Sequence, residues 1–564
     1  MTLGSFDRAR SLQQLGDTTF DVLVIGGGIT GAGVALDAAS RGLRTALVER
    51  DDFASGTSSK SSKLVHGGLR YLQNGDVRLV YEALRERQRL RHNAPHLVRL
   101  LPFLIPIFSK DGLINPKVAR ALGSAMWMYD LTGGARIGKL HKRLKKAQAV
   151  AHMPTLSEDR LAGAYLYYDA AADDARLTLT LMRTAALDHG AVVANHTNVV
   201  ELLHEGGRAV GAVVRADGRR IEVRARGVVN AAGVWSDDVR ALDEGSDPDS
   251  IRPAKGIHIT VPWAKVQNDI AVVVPVPKDK RSVFLVPWLP TEDGGYQLTY
   301  IGTTDTDYDG PIDAPQCTAD DVSYLLKAVN LSVREPLSEA DVVGTWAGLR
   351  PLVKAASSGR TADLSRRHKV TRSDAGVITV TGGKLTTYRE MAEDTVDLLV
   401  GHLDGLPHSA RRSRTPRMQV RGAQTVDPTA TGLPRHLAGR YGTEGRVVQD
   451  LIEEDGRLGE PLVPGLPYVR AEAVFAVRHE MATTVDDVLA RRTRARLQAR
   501  DASAQVAAEV ADLMGAELGW SSDETARQAA TYVELVAAER AAPCLPDTGV
   551  AARPERASNE EMQP

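Results

Sequence analysis

Cysteine is almost absent. Among 564 residues only Cys317 and Cys544 occur, far apart and without the paired spacing of a metal site or a disulfide framework, which fits a reducing cytoplasm. An excess of charge is missing too: 70 basic against 71 acidic residues leave a formal net charge of -1. That excludes a general polyanion binder such as a nucleic-acid coat and confines basic chemistry to local clusters. The residues up to Thr19 carry Asp7, Arg8, Arg10 and Asp17 and lack the apolar run of a secretory signal, so no export is expected. The most apolar stretch, Leu100–Phe108, is less than half the ~20 residues a spanning helix needs, and it holds Pro102 and Pro106. It belongs either to the core or to a segment dipping into a membrane surface. No internal repeat is present. With 43% hydrophobic residues, the chain can bury a large core, over roughly two to four domains.

What is present begins with a βαβ layout. The apolar run from Phe20 to Ile25 enters Gly26-Gly27-Gly28-Ile29-Thr30-Gly31, a helix is expected from Ile29 to about Ser40, and Thr45–Glu49 forms the second strand. Gly26 permits a tight turn, Gly28 lets backbone approach a pyrophosphate, and Gly31 lets helix and strand pack closely. Glu49 follows at about the ~20-residue spacing at which a carboxylate holds ribose hydroxyls. A glycine turn without a ligand would leave Glu49 and the third glycine unexplained.

Further along, an Arg- and Glu-rich helix is expected from about Asp76 to Asn93. Strand patterns follow at Ala191–Val200, Ala209–Val214, Ile221–Val223 and Gly227–Asn230, with a hairpin at Ala216–Arg219. Strand formers from Ile251 to Tyr300 read as a separate antiparallel sheet, a platform for substrate. The Pro- and Arg-rich run His408–Arg417 reads as a linker, helices dominate from Pro434 to Ala541, and Pro543–Pro564 reads as a disordered tail.

Three more segments favour FAD over NAD. Thr57–Gly68 is a run of small hydroxyls and glycines that can thread along a long cofactor, or else a plain Ser-rich loop. Val228–Asn230 leads into Ala231-Ala232-Gly233, small enough to pass beside a bulky ligand, although close packing explains it equally well. Val377–Val380 runs into Thr381-Gly382-Gly383-Lys384-Leu385-Thr386-Thr387. A helix starting near Lys384 would place about half a positive charge where hydride transfer leaves negative charge on a flavin; a second phosphate cradle is the competing reading.

Together these segments resemble the FAD-dependent glycerol-3-phosphate dehydrogenases. The resemblance rests on Gly26–Gly33, Thr57–Leu72, Asp173-Asp174-Ala175-Arg176-Leu177, Lys255-Gly256-Ile257-His258, Ile301–Asp305, Gly348–Leu352 and Gly382–Arg389, in order over about residues 18–400, with Arg478–Asp487 resembling the C-terminal domain. It implies an α/β fold: a discontinuous FAD-binding Rossmann-like domain of the glutathione-reductase/D-amino-acid-oxidase type, an inserted antiparallel-sheet substrate domain, and a helical C-terminal domain. The expected boundaries are 18–400 for the oxidoreductase domain (FAD-binding parts about 18–74, 165–250 and 340–400; substrate domain about 75–164 and 251–339), 408–542 for the helices and 543–564 for the tail.

The activity so implied is oxidation of sn-glycerol 3-phosphate to dihydroxyacetone phosphate, with electrons passing through non-covalent FAD to a quinone. By resemblance Arg70, Arg350 and Lys384 meet substrate, as does Arg366, whose surroundings Ser365-Arg366-Arg367-His368 depart from the family pattern. Arginine forks suit phosphate oxygens. Gly26, Gly28, Thr30, Gly31, Glu49, Ser58, Ser59, Ser61, Lys63, Leu64, His66, Val199, Ala232, Gly233, Gly383, Lys384, Leu385 and Thr386 are the expected cofactor contacts, and no metal is expected. His258 is the candidate base for the alcohol proton and a substrate contact, with His66 its rival. The basic run Arg136, Lys139, His141, Lys142, Arg143, Lys145 and Lys146 is either an amphipathic surface on anionic lipid, at the inner face of the plasma membrane, or a solvated helix face. A homodimer is compatible with the sequence. An oxidase using O2 and a non-catalytic flavin redox sensor stay open as alternatives; a D-amino-acid-oxidase-type reaction is disfavoured because its substrates lack a phosphate.

Overall fold

The protein is described from a computed structural model covering residues 6–68, 77–108, 126–127, 129–130, 138–276, 281–291, 293–354, 367–424 and 432–546. The strand Val22–Ile25 is buried at all four positions, the continuous apolar run of a parallel strand covered on both faces. It lies inside a six-stranded sheet in the order Lys369–Arg372, Ile378–Thr381, Val228–Asn230, Val22–Ile25, Thr45–Val48, Val192–Ala194, parallel except for the first of these. The helices Ile29–Ser40, Asp174–His189 and Tyr388–Val400 pack against it around one apolar cluster. Strands from three distant stretches of sequence thus build one nucleotide-binding sheet.

A four-stranded sheet stands beside it, made of Thr19–Phe20, Asn198–Glu205, Arg208–Ala216 and Arg219–Ala225. The expected hairpin is there, with Asp217 and Gly218 both at positive φ as a tight two-residue turn requires. The stretch Ala191–Val200, read as one strand pattern, divides: Val192–Ala194 joins the six-stranded sheet and Asn198–Glu205 the four-stranded one.

The substrate platform is a ten-stranded sheet in which Ile251–Pro262 pairs with both Tyr296–Gly302 and Gly344–Val353. Two expected boundaries move. Leu161–Ala172 pairs along Val98–Phe108, and Gly344–Val353 along Ile251–Pro262, so both belong to this sheet and not to the nucleotide-binding parts. The apolar stretch Leu100–Phe108 is therefore core sheet and not a membrane dip; its prolines pair opposite Tyr168 and Ala164.

The C-terminal helices run from Arg435–Tyr441 to Ser522–Ala541, with a π-helical segment at Asp487–Arg492. His408–Arg417 is no loose linker. It forms two short 3-10 turns held to the helix Ile29–Ser40 and its C-cap Arg41, with Arg41 Nη1 donating to Ala410 O at 3.2 Å and Thr415 Oγ1 to Asp37 Oδ1 at 3.2 Å. The tail begins ordered, since Leu545 is buried in the large sheet's core; 547–564 lie outside the described residues. No helix among the described residues is long and apolar enough to cross a membrane.

Candidate functional site

A cavity of about 610 Å³ runs between the nucleotide-binding sheet and the large sheet. Its first wall is the glycine turn. Gly26 has φ +113, and a Cβ there would sit 2.6 Å from Ala231 O; at Gly31 a Cβ would sit 1.9 Å from Gly26 O, so helix and strand touch backbone to backbone. Only glycine allows either approach. Gly28 is extended, and Ser58 Oγ accepts from Ile29 N at 2.8 Å, tying the Ser-rich run to the helix start. Glu49 Oε2 accepts from Gly27 N at 2.6 Å and Oε1 from Asp51 N at 2.9 Å. Desolvation nonetheless raises its carboxyl to about 7.

Beside it, at the end of the neighbouring strand, lies Ala231-Ala232-Gly233, fixed by Asn230, whose Oδ1 accepts from Ala232 N at 3.2 Å while its Nδ2 donates to Ser236 O at 2.8 Å. Gly382 and Gly383 have φ +75 and +80, and a Cβ on Gly383 would strike Met391 Sδ at 2.4 Å. The chain leaves this turn as a 3-10 segment, Leu385–Thr387, before the α-helix starts at Tyr388. Thr386 Oγ1 accepts from His66 N at 3.1 Å, closing the turn onto the Thr57–Gly68 run.

The third wall comes from the large sheet. His258 lies opposite Gly302 and Trp346 in the strand register, and its ring stacks on Trp346 at 4.7 Å and 7°. A side chain at position 302 would meet the ring at 2.1 Å, so Gly302 keeps its place open. His258 Nε2 meets Ser62 Oγ at 2.8 Å, and Nδ1 has no hydrogen-bond partner among the described residues. Burial, with the charges of Lys63 and Arg350, holds the imidazole pKa well below its usual value, so the ring is neutral at physiological pH. Arg350 projects beside Gly256, where a Cβ would lie 2.6 Å from Nη2. Thr303 Oγ1 and Thr304 O, each 3.1 Å from Nη2, and Asp305 Oδ1, 3.4 Å from Nη1, brace the guanidinium.

Of the residues expected from sequence, Gly26, Gly28, Thr30, Glu49, Ser58, Ser61, Leu64, His66, Val199, Ala232, Gly233, His258, Arg350, Gly383, Lys384, Leu385 and Thr386 line this one cavity. Gly31 acts behind the wall through packing. Ser59 and Lys63 do not reach the cavity: the Lys63 side chain is buried and turns to Asp174, 3.3 Å away. Arg70 and Arg366 lie outside the described residues. Sequence reasoning missed Ser62, Gly256, Thr303 and Trp346. Ser62, Gly256 and Thr303 sat inside the quoted motifs, whereas Trp346 had no local signal. Asp52, His196 and Asp487 bring ligating atoms within 4.8 Å of one another, but Arg491 and Arg492 already pair with Asp52 at 2.6 and 2.5 Å, filling a cation's place.

The cavity fits FAD. Its volume is about 610 Å³, its glycines admit backbone close to a ligand, a helix N-terminus opens onto it, and a carboxylate stands at the second strand's end. A family model described as FAD dependent oxidoreductase matches residues 21–389, and one described as C-terminal domain of alpha-glycerophosphate oxidase matches 399–525. The glycerol-3-phosphate dehydrogenase of Mycobacterium leprae is 41% identical over 578 residues, covering 100% of this chain and 95% of the relative. The mitochondrial glycerol-3-phosphate dehydrogenase of Mus musculus is 38% identical over 537 residues, covering 89% of this chain and 71% of the relative. The X-ray structure of the Bacillus halodurans glycerol-3-phosphate dehydrogenase complexed with FAD superposes with a TM-score of 0.73 at 30% identity, covering 95% of this chain and 97% of that one. The chain belongs to the FAD-dependent glycerol-3-phosphate dehydrogenase family, and FAD is its cofactor.

Proposed function

We propose that the protein oxidises the C2 alcohol of sn-glycerol 3-phosphate to dihydroxyacetone phosphate and delivers the electrons to a quinone. One observation carries this reading: a neutral buried imidazole, a braced guanidinium and Lys384 face the same cavity as the nucleotide cradle. FAD, held by the glycine turn, Glu49, the Ser58–His66 run, Val199, Ala232-Gly233 and Gly383–Thr386, supplies the hydride acceptor when bound. Arg350, whose guanidinium suits phosphate oxygens, and Lys384, a point charge, are the cations for the phosphate. Arg70 and Arg366 add cations by family resemblance. His258 takes the hydroxyl proton at Nε2, the nitrogen that meets Ser62 Oγ, so the proton arrives through or beside that hydroxyl. His66 is assigned to the cofactor, since its backbone is tied to Thr386.

Anaerobic addition of glycerol 3-phosphate tests the reaction: bleaching of the flavin supports it, and an unchanged spectrum favours a redox sensor. Turnover with a quinone analogue against O2 tests the acceptor; faster turnover with O2 would make the protein an oxidase.

Peripheral attachment to an anionic cytoplasmic membrane face belongs to the same proposal. Supporting it are Trp127 and Leu140, exposed by 58% and 50%, beside exposed Lys139, Lys142, Arg143, Lys145 and Lys146. Arg136 lies outside the described residues. The basic run is not one amphipathic helix: Lys142–Leu144 is a strand paired to Leu161–Ala172, and a helix starts only at Lys146. Each basic residue near such a surface adds about 1 kcal/mol. Sedimentation with anionic vesicles at low salt, lost at high salt, is expected; no binding at low salt would refute attachment.

A further inference from the structure

The Asp173–Leu177 motif carried the family resemblance without a role in the chemistry. Its position supplies one. Asp173 N-caps the helix Asp174–His189, and Asp174 sends its carboxylate back to the Ser-rich run that lines the FAD cavity. Asp174 Oδ2 accepts from Ser61 N at 3.0 Å and from Ser61 Oγ at 2.7 Å. Its Oδ1 lies 3.3 Å from Lys63 Nζ and 3.1 Å from Arg494 Nη2. Both cations also donate to Ser59 O, Lys63 at 3.2 Å. The carboxylate and the two cations are all buried. Charge-assisted hydrogen bonds in such a setting are the strong ones, and losing one partner strands the others.

Arg494 comes from the C-terminal helices, 320 residues from Asp174. Its neighbours press on the other half of the site. Leu497 O accepts from Thr260 Oγ1 at 2.8 Å, two residues beyond His258, and Arg500 N donates to Val343 O at 3.0 Å, just before the strand that carries Arg350. A Cβ at Gly344 would lie 2.1 Å from Leu497 O, so this contact is backbone on backbone. Across the loop, Trp346 Nε1 donates to Ser61 O at 3.2 Å and Tyr300 OH to Ser62 O at 3.0 Å. The Ser59–Ser62 backbone is thus gripped from the start of the helix Asp174–His189, the substrate sheet and the C-terminal helices.

We propose that Asp174 and Arg494 are positioning residues for FAD, a clamp that fixes the Ser58–Ser62 run, of which Ser58, Lys60, Ser61 and Ser62 line the cavity, and makes the C-terminal helices a working part of the cofactor site. Lys63 shares the clamp: burial, then the Arg494 charge, lowers its ammonium to about 8, while Asp174, with Asp173 beside it, supplies the negative charge that holds both cations. The inference rests on FAD binding and not on the identity of the substrate.

The test uses the holoenzyme. Flavin release is followed as the fluorescence of free FAD after dilution, beside visible circular dichroism of the bound flavin and the melting temperature, for Asp174→Asn, Arg494→Met, the double variant and Arg494→Lys. Each of the first two is expected to speed release by about tenfold or more and to alter the flavin dichroism, while the double variant adds little beyond the worse single one, as coupled residues do. Arg494→Lys restores much of the retention. Should Asp174→Asn fail to fold, Arg494→Met against Arg494→Lys decides. A lowered melting temperature with wild-type release and dichroism, or fully additive effects, would overturn the clamp and leave the two residues as ordinary structural ones.

Discussion

Replacing Gly31 by alanine tests the nucleotide cradle most directly. The added Cβ would lie 1.9 Å from Gly26 O, whereas a C···O contact needs roughly 3.3 Å, so the helix start must retreat by about 1.4 Å. Neither atom is on a flexible side chain; the strain falls on the strand-to-helix turn itself. A hydrogen bond from this end to the pyrophosphate is worth about 1.5–3 kcal/mol, and losing two costs about a hundredfold or more in FAD affinity. Gly33→Ala is the internal control. Its Cβ meets the Tyr388 ring at 2.7 Å, Gly33 is not among the residues that line the cavity, and an aromatic ring can shift. Overpacking there is expected to cost about 1–3 kcal/mol of stability and to change the FAD dissociation constant little. Titration of deflavinated protein by quenching of FAD fluorescence, with melting temperatures alongside, separates the two. Equal affinity losses in both variants, or wild-type affinity in Gly31→Ala, would refute the argument.

Glu49 gives a pH dependence. Its carboxyl keeps its proton to about 7 in the folded chain against 4.5 when exposed, so the FAD-free protein loses stability as pH climbs through that window, and Glu49→Gln flattens the slope. Ribose hydroxyls donate to the ionised form, so FAD binding is expected to tighten from pH 6 to 8 by up to about tenfold; a flat titration would count against Glu49 as the ribose ligand. Arg350→Ala is expected to lower kcat/KM for glycerol 3-phosphate by roughly ten- to a hundredfold with flavin retained, and unchanged kinetics would remove Arg350 from the site. His258→Ala is expected to lower turnover by about a hundredfold or more with flavin still bound, while retained turnover reassigns the base. Because the buried ring refuses a proton that the unfolded chain accepts near 6.5, stability falls as pH drops below that value, and a variant without the imidazole should lose this acid sensitivity.

The nucleotide-binding turn was legible because its demands are local. A strand, a left-handed Gly26, a Gly31 that must touch Gly26 and an acid one strand later fall within about thirty consecutive residues, and each leaves its mark on residue type. The same holds for Gly382-Gly383 and for Asp217-Gly218, where positive φ selects glycine or a short polar residue. Lys63 was misplaced because sequence gives the side chain's identity and not its direction; buried Asp174, 111 residues away, turned it from the cavity. His408–Arg417 looked like a linker by composition, yet Asp37 and Arg41 supply partners for its polar backbone and hydroxyls. Leu100–Phe108 had the hydropathy of either core or interface, and only its pairing with Leu161–Ala172 settled which.

By itself, the sequence determined the kind of cofactor cradle, the order of the segments that build it and the charges available to a phosphate, because glycine, hydroxyl and guanidinium chemistry is written one residue at a time. Tertiary structure decided which groups act together. His258 meets Ser62 across 196 positions, and Arg494 meets Asp174 across 320. Contacts of that range come from sheet pairing and helix docking, whose free energy depends on the whole packed core and leaves no mark in any local stretch of chain.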